Sequence, residues 1–199
     1  MPWTQRNKYR GAVRRWVGAS GSLSARLAGA GQAFSVQVLD QGRQKLGLDE
    51  ARALGLPGRR PGYVREVVLS VDEVAVVFAR SVTAHAQSLG AWRAIRGLGT
   101  RPLADVLFRR TGIERTPLEF VNVKPATTLQ RHVARSWQRA TGDALAVRTL
   151  PARRSVFTRR GAPLLVMEVF AAPQAPWGWP TVKHARKPPP VLPRNKNED

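Results

Sequence analysis

The 199-residue chain contains no cysteine, which excludes disulfides, thiolate metal sites and a cysteine nucleophile. Its three histidines, His85, His132 and His184, stand far apart, so an all-protein transition-metal site is not expected. No uninterrupted apolar stretch reaches the ~18 residues of a transmembrane helix, and no apolar h-region marks a secretory signal. Acid is scarce as well. Thirteen Asp and Glu face 33 Lys and Arg, for a formal net charge of +20, and the first acidic residue is Asp40. The acid-free composition of residues 1–39 is one that transit peptides share, yet ordered-looking sequence begins already near Trp16. A cytoplasmic protein is expected.

What is present starts with arginine, which outnumbers lysine 27 to 6. The densest positive stretch is 124–160, where Asp143 is the only acid. Such a charge suits nucleic acid or an anionic membrane surface, and equally an anion-handling enzyme with an arginine-rich exterior, so charge alone does not decide the function. Trp137 among Arg131, Arg135 and Arg139 could stack on bases or touch a membrane, although a solvated helix with one packed Trp is the commoner arrangement. Gly18-Ala-Ser-Gly21 lacks the Lys-Ser/Thr pair of a phosphate-cradling loop. No Ser-His-Asp arrangement is present, and His85 reads as a helix-start residue.

With 43% hydrophobic residues the chain can build a core. Ser22 opens a short helix ended by Gly29 and Gly31, and residues 34–39 alternate as a strand. Residues 41–62 read mainly as a loop with one helical turn near 49–54. Residues 63–71 and 74–82 form two strong β segments joined by Asp72-Glu73, a tight hairpin. Leu89, Trp92 and Ile95 give residues 84–97 a helical period with Trp92 in the core, and Pro102 starts a shorter helix over 102–110. Residues 117–123 alternate as a strand, and 128–141 form a basic helix. Residues 152–158 and 163–170 flank Arg159-Arg160-Gly161-Ala162 as a second hairpin. Hairpin-joined strands imply an antiparallel sheet with helices on one side, a single α+β domain. The organisation expected is a basic N-terminal extension (1–15), a domain over 16–180 with a basic insertion at about 124–151, and a disordered Pro-rich tail (181–199). Trp177 and Trp179 belong to a terminal segment on the surface.

Three charges sit inside apolar strands: Arg65, Arg80 and Glu168. Around Glu168 both strand faces are apolar, Val166 and Phe170 on its own face and Leu165, Met167 and Val169 on the other, so it is buried whichever way it points. A buried carboxylate needs partners, naturally arginines of neighbouring strands. Two readings stand side by side: an internal salt bridge, or an enclosed anion-binding site whose carboxylate moves protons. Of the neighbours Arg65 and Glu66 one must point inward, and Arg65 is the better ligand for a carboxylate because its planar fork donates two charge-assisted hydrogen bonds. Arg153 and Arg154 read as a solvated strand start.

The residues also resemble a known family, chorismate pyruvate-lyase. The resemblance runs in order across about residues 16–173: Trp16 followed by Gly21-Ser-Leu-Ser-Ala-Arg-Leu; Tyr63-Val-Arg-Glu-Val-Val-Leu; Phe78-Ala-Arg-Ser-Val; Leu98-Gly-Thr-Arg-Pro-Leu-Ala-Asp-Val-Leu-Phe; Arg153-Arg-Ser-Val-Phe; and Gly161-Ala-Pro-Leu-Leu-Val-Met-Glu-Val-Phe-Ala-Ala-Pro. Each motif is weak alone; six in one order are specific. The resemblance implies a sheet of about six antiparallel strands, with two flap segments enclosing a buried site. It implies removal of pyruvate from chorismate to give 4-hydroxybenzoate, the first step of ubiquinone biosynthesis, with no metal or organic cofactor. The family's carboxylate-binding arginine falls on Arg65, its buried glutamate on Glu168, and its two substrate-binding backbone N–H groups on Leu23 and Leu103. Arg80 is expected to line the same cavity and to face the departing enolpyruvate. A monomer is expected, with no specific nucleic acid partner and at most a weak contact with an anionic membrane surface. Two other readings compete. One is a non-catalytic anion-sensing domain of the same fold, although residues 1–20 are too few for the helix-turn-helix domain that such sensors follow. The other is a basic nucleic-acid-binding protein, which leaves Glu168 in its strand without an explanation.

Overall fold

In the computed structural model, which describes residues 2–57, 60–108 and 111–172, two tight turns set the topology. Asp72 and Glu73 both take positive φ (48° and 66°), as do Arg160 and Gly161 (49° and 72°). That pairing matches the right-handed twist of the strands it joins. Asp72 also accepts backbone hydrogen bonds from Gln32 and Ala33 at 2.8 and 2.7 Å. The first turn joins β2 (Pro61–Val71) to β3 (Val74–Ala84), and the second joins β6 (Leu150–Arg159) to β7 (Ala162–Phe170). Both hairpins fall where the sequence places them.

With β1 (Phe34–Lys45), β4 (Ile113–Arg115) and β5 (Glu119–Val123) the strands form one antiparallel sheet, ordered β1-β2-β3-β7-β6-β4, with β5 also paired to β6. The sheet has seven strands because β4 and β5 divide one edge of β6 between them: β4 pairs with residues 157–159 and β5 with 150–154. The stretch 41–62 is less of a loop than its glycines and prolines suggest. A bulge between Val38 and Asp40 lets β1 continue, so that Gln41 to Lys45 pair with Arg65 back to Pro61. Gly42, at φ 152°, supplies a conformation that a side chain would resist.

The helices are α1 (Gly11–Val17), α2 (Leu23–Ala28), α3 (Leu48–Ala53), α4 (His85–Leu89), α5 (Ala104–Leu107) and α6 (Thr128–Thr141). Ser22 caps α2 by accepting from the Ala25 N–H at 3.0 Å. Thr127 caps α6 in the same way, and Gly142 ends it at φ 80°. The helix expected over 84–97 is broken: Gly90, at φ −106° and ψ −111°, ends α4, and a 3-10 turn at Arg93–Gly97 follows. His85 begins α4, and Trp92 is fully buried with its indole N–H donating to the Ala162 carbonyl at 3.0 Å.

Helices cover both sides of the sheet rather than the single side expected. On one face α1 and α2 pack through Val17, Leu23 and Leu27, and α5 and the 3-10 turn through Ile95, Val106 and Leu107. On the other face α6 inserts Val133 and Trp137 against Phe78 and Met167, and the segment carrying α3 covers Val64, Val82 and Leu165. The central strands are therefore apolar on both sides, and burying each large side chain stabilises the fold by about 1.5–3 kcal/mol. Residues ahead of α1 also lie on the sheet. Thr4 exchanges backbone hydrogen bonds with Phe120 at 3.1 and 2.7 Å, and the Tyr9 hydroxyl donates to the Val121 carbonyl at 2.6 Å. Among the described residues no helix is long and apolar enough to cross a membrane. The expected tail, with Trp177 and Trp179, lies outside the described residues.

Candidate active site

Cross-strand register assembles the site, because residues directly opposite one another on neighbouring strands point to the same face. One row runs Arg65, Ser81, Val166, Ser155; the next runs Val67, Ala79, Glu168, Arg153. The small side chains Ala79 and Ser81 leave a depression in the middle of the sheet. The start of α2, at Ser22, Leu23 and Ser24, and the start of α5, at Pro102, Leu103 and Ala104, close over it. The resulting cavity is partly open to solvent, with Leu69, Leu107 and Phe157 among its apolar walls. Arg65, Glu168, Leu23 and Leu103, four of the five expected site residues, line it together.

Arg65 is 2% exposed. One terminal nitrogen donates to the carbonyls of Gly99 and Arg101 at 2.9 and 3.1 Å, while Nε has no partner among the described residues. Burial lowers its affinity for the proton. A buried cation held by carbonyls alone is a costly arrangement that an incoming anion would relieve. Glu168 is engaged differently: Arg153 Nε donates to its Oε2 at 2.5 Å. Arg153 is itself anchored to the end of α1 through the carbonyls of Val17 and Ala19, at 3.1 and 2.7 Å. The carboxylate is thus held in orientation while still lining the cavity. Leu23 and Leu103 sit where a helix begins, where backbone N–H groups lack an acceptor within the helix.

Sequence reasoning missed one cavity residue, Arg115 on β4. Its Nε donates to the Ser155 hydroxyl at 2.9 Å and a terminal nitrogen to the Gly21 carbonyl at 3.3 Å, with the guanidinium over the Phe157 ring at 5.0 Å. Nothing local in Ile-Glu-Arg marks it out; only the pairing of Arg115 with Phe157 brings it to the site.

Arg80 does not line the cavity. Ser81, its neighbour, takes the cavity face, so strand alternation turns Arg80 to the opposite face. There it pairs with Glu66 at 2.5 Å and Glu50 at 2.6 Å, while His132 on α6 meets the same Glu66 oxygen at 2.6 Å. Arg153 and Arg154 are likewise not a solvated strand start. The strand begins three residues earlier, at Leu150, and both are buried, at 1% and 8% exposure. Arg154 bridges Asp49 at 2.6 Å and Glu119 at 2.7 Å under the Trp3 ring. Trp137 is packed against the sheet and the arginines of α6 face outward. Among the described residues no group of three His, Asp or Glu is placed to hold a metal, and the Glu66 cluster is filled by the Arg80 guanidinium.

The fold has solved counterparts. The effector domain of PhnF from Mycobacterium smegmatis superposes with a TM-score of 0.53 at 16% identity, over 77% of this chain and 90% of that one. The C-terminal domain of a histidine utilization repressor from Pseudomonas syringae pv. tomato gives 0.50 at 10%. At such identities the likeness speaks for the fold alone. Sequence relatives are far nearer. A protein of Albidiferax ferrireducens named "Probable chorismate pyruvate-lyase" is 70% identical over 98% of both chains. One of the same name from Cupriavidus metallidurans is 41% identical over 79% of this chain and 72% of its own. The family model described as chorismate lyase matches residues 2–177, a span that includes both rows of the cavity and both segments closing it, and on that match the chain belongs to the chorismate lyase family.

Proposed function

We propose that the chain removes pyruvate from chorismate to leave 4-hydroxybenzoate, and that the cavity between the sheet, α2 and α5 is where it does so. The observation that carries this reading is a buried arginine, Arg65, with no carboxylate paired to it among the described residues, sharing one cavity with the oriented carboxylate of Glu168.

Chorismate is a dianion, with one carboxylate on the ring and one on the enolpyruvyl ether. Breaking the ring carbon–oxygen bond of the ether and removing the proton from the adjacent, hydroxyl-bearing carbon makes the ring aromatic. The electron pair of the broken bond leaves with the enolpyruvyl oxygen, and the fragment takes up a proton to become pyruvate. Most of the driving force is the substrate's own, so the protein's part is orientation and charge stabilisation. In this reading Arg65 binds the ring carboxylate in a charge-assisted fork, helped by the backbone N–H groups of Leu23 and Leu103. Glu168, its orientation fixed by Arg153, faces the ring hydroxyl and accepts or relays the proton. The apolar walls exclude water, which strengthens each of these contacts, and the closure of α2 and α5 over the product makes release slow.

The test is direct. Purified protein is mixed with chorismate, and the absorbance of 4-hydroxybenzoate is followed with pyruvate assayed in parallel. Equimolar appearance of both is expected. A folded protein that produces neither would overturn the reading in favour of a ligand-sensing domain on the same scaffold.

A further inference from the structure

On the reading just given, which this inference deepens, Arg65 meets one carboxylate of the substrate and the second still needs a cation. Arg80 is excluded by its place on the far face. Arg153 is consumed by Glu168 and two carbonyls. Arg115 remains. It lines the cavity, and among the described residues it forms no ion pair. Its two contacts are neutral, a hydroxyl and a carbonyl, and they occupy Nε and one terminal nitrogen. A guanidinium has five N–H donors, so the other terminal nitrogen is free to turn into the cavity.

The geometry points to Arg115 as the residue that binds the enolpyruvyl carboxylate and makes the site selective for a dianion. Ser155, on which Arg115 leans, closes the row that begins at Arg65. Arg65 and Ser155 thus stand at opposite ends of one cross-strand row, three strand spacings or roughly 14 Å apart at the backbone, and Arg115 reaches Ser155 from β4, one strand further out. Long side chains reach inward from each end, and Glu168 lies in the adjacent row between them. The environment agrees with this placement. Burial and the nearby Arg153 guanidinium both lower the affinity of Arg115 for its proton, against an opposing pull from Glu168. A carboxylate arriving there would find a cation short of counter-charge. As the ether bond breaks, negative charge develops on the enolpyruvyl oxygen, and a cation holding that fragment stabilises it.

The product separates this role from a structural one, since 4-hydroxybenzoate has lost the second carboxylate. For Arg115→Gln, kcat/KM for chorismate should fall by about 100-fold or more, while the Kd for 4-hydroxybenzoate, measured by calorimetry, stays within about threefold of the wild-type value. Arg115→Lys, which keeps a cation on a stem that can reach, should recover part of the activity and serves if the glutamine variant fails to fold. An unchanged kcat/KM, or an equal loss of chorismate turnover and 4-hydroxybenzoate binding in a folded variant, would overturn the assignment. Wild-type protein that binds 4-hydroxybenzoate yet converts no chorismate would overturn the lyase reading and this inference together, whereas active wild type with an indifferent Arg115 would overturn only the latter.

Discussion

The two faces of the sheet carry the same kinds of residue and treat them in opposite ways. On the far face Arg80 has Glu66 and Glu50, and Arg154 has Asp49 and Glu119, so each buried cation is matched by carboxylates from α3, β5 or a neighbouring strand. On the cavity face Glu168 lines the same cavity as Arg65 and Arg115, yet among the described residues its ion pair is with Arg153. Arg65 and Arg153 are at least as buried as Arg80 and Arg154, and pairing is what differs. A buried charge in a strand is therefore poor evidence of function by itself. It becomes good evidence when its counter-ion is missing, because the fold then carries a desolvation cost that only a ligand offsets.

Making one substitution on both faces tests that distinction most severely. Arg65→Met should lower kcat/KM for chorismate by about three orders of magnitude while leaving the melting temperature unchanged or higher, since an unpaired buried charge is replaced by an apolar side chain of similar length. Enzyme kinetics and a thermal melt on one sample decide it; a large loss of stability would mean that Arg65 belongs with the structural arginines. Glu168→Gln should remove about 10²–10⁴-fold of the rate. It should also destabilise the fold, because Arg153 is left without its carboxylate, and so it shows both signatures at once.

Arg80→Met is the mirror experiment. With the guanidinium gone, Glu66, which is 1% exposed, keeps only His132, and stability should drop by about 3–5 kcal/mol. The KM for chorismate of the remaining folded enzyme should hold within a few-fold. Denaturant unfolding and steady-state kinetics read the two quantities separately, and a selective loss of substrate affinity would return Arg80 to the cavity.

How much of this was legible in the sequence follows from what each signal depends on. The hairpins, the cap at Ser22 and the antiparallel sheet are local, and they were readable from turn residues and alternation. Arg65 and Glu168 stood out because a charge in an apolar strand is anomalous wherever the strand ends up. The face on which a charge lies is not local. Arg80 follows Ala79 in a strand apolar on both sides, so alternation alone gave no direction; only the pairings Arg65 with Ser81 and Glu66 with Arg80 decide it. Arg115 was invisible for a related reason, since a three-residue strand carries almost no periodicity and its place beside Phe157 is made by an edge that two short strands share. The breadth of β1 escaped because a bulge and a glycine keep a strand going through residues that usually end one.

Acid pH should erode the far face first. Burial would raise the pKa of Glu66, but the hydrogen bond and charge of His132, together with those of Arg80, outweigh it and hold the carboxyl below its ordinary value of 4.5. A group with a depressed folded pKa contributes stability above its unfolded value and loses it as pH falls through the folded one. Glu66→Gln should therefore cost about 1.5–3 kcal/mol near neutrality, and its melting curve should converge on that of the wild type as pH falls below 4.5. Parallel curves would show that the pairing is not what stabilises this face.

The smallest effect concerns a contact that belongs to neither charged cluster. The Tyr9 hydroxyl donates to the Val121 carbonyl and accepts from the Ala152 N–H at 3.3 Å, fastening the segment ahead of α1 to the paired edge of β5 and β6. Burial pushes its pKa from 10 up to about 12, against a smaller lowering by the Ala152 N–H. With the folded value above the unfolded one, the contribution is whole below pH 10 and is lost as pH rises from 10 to about 12. Tyr9→Phe should cost about 1 kcal/mol near pH 8, and its deficit against the wild type should shrink through that alkaline window, read by denaturant unfolding at each pH. A deficit that stays constant to pH 12 would mean that the ring's packing, rather than its neutral hydroxyl, holds the segment in place.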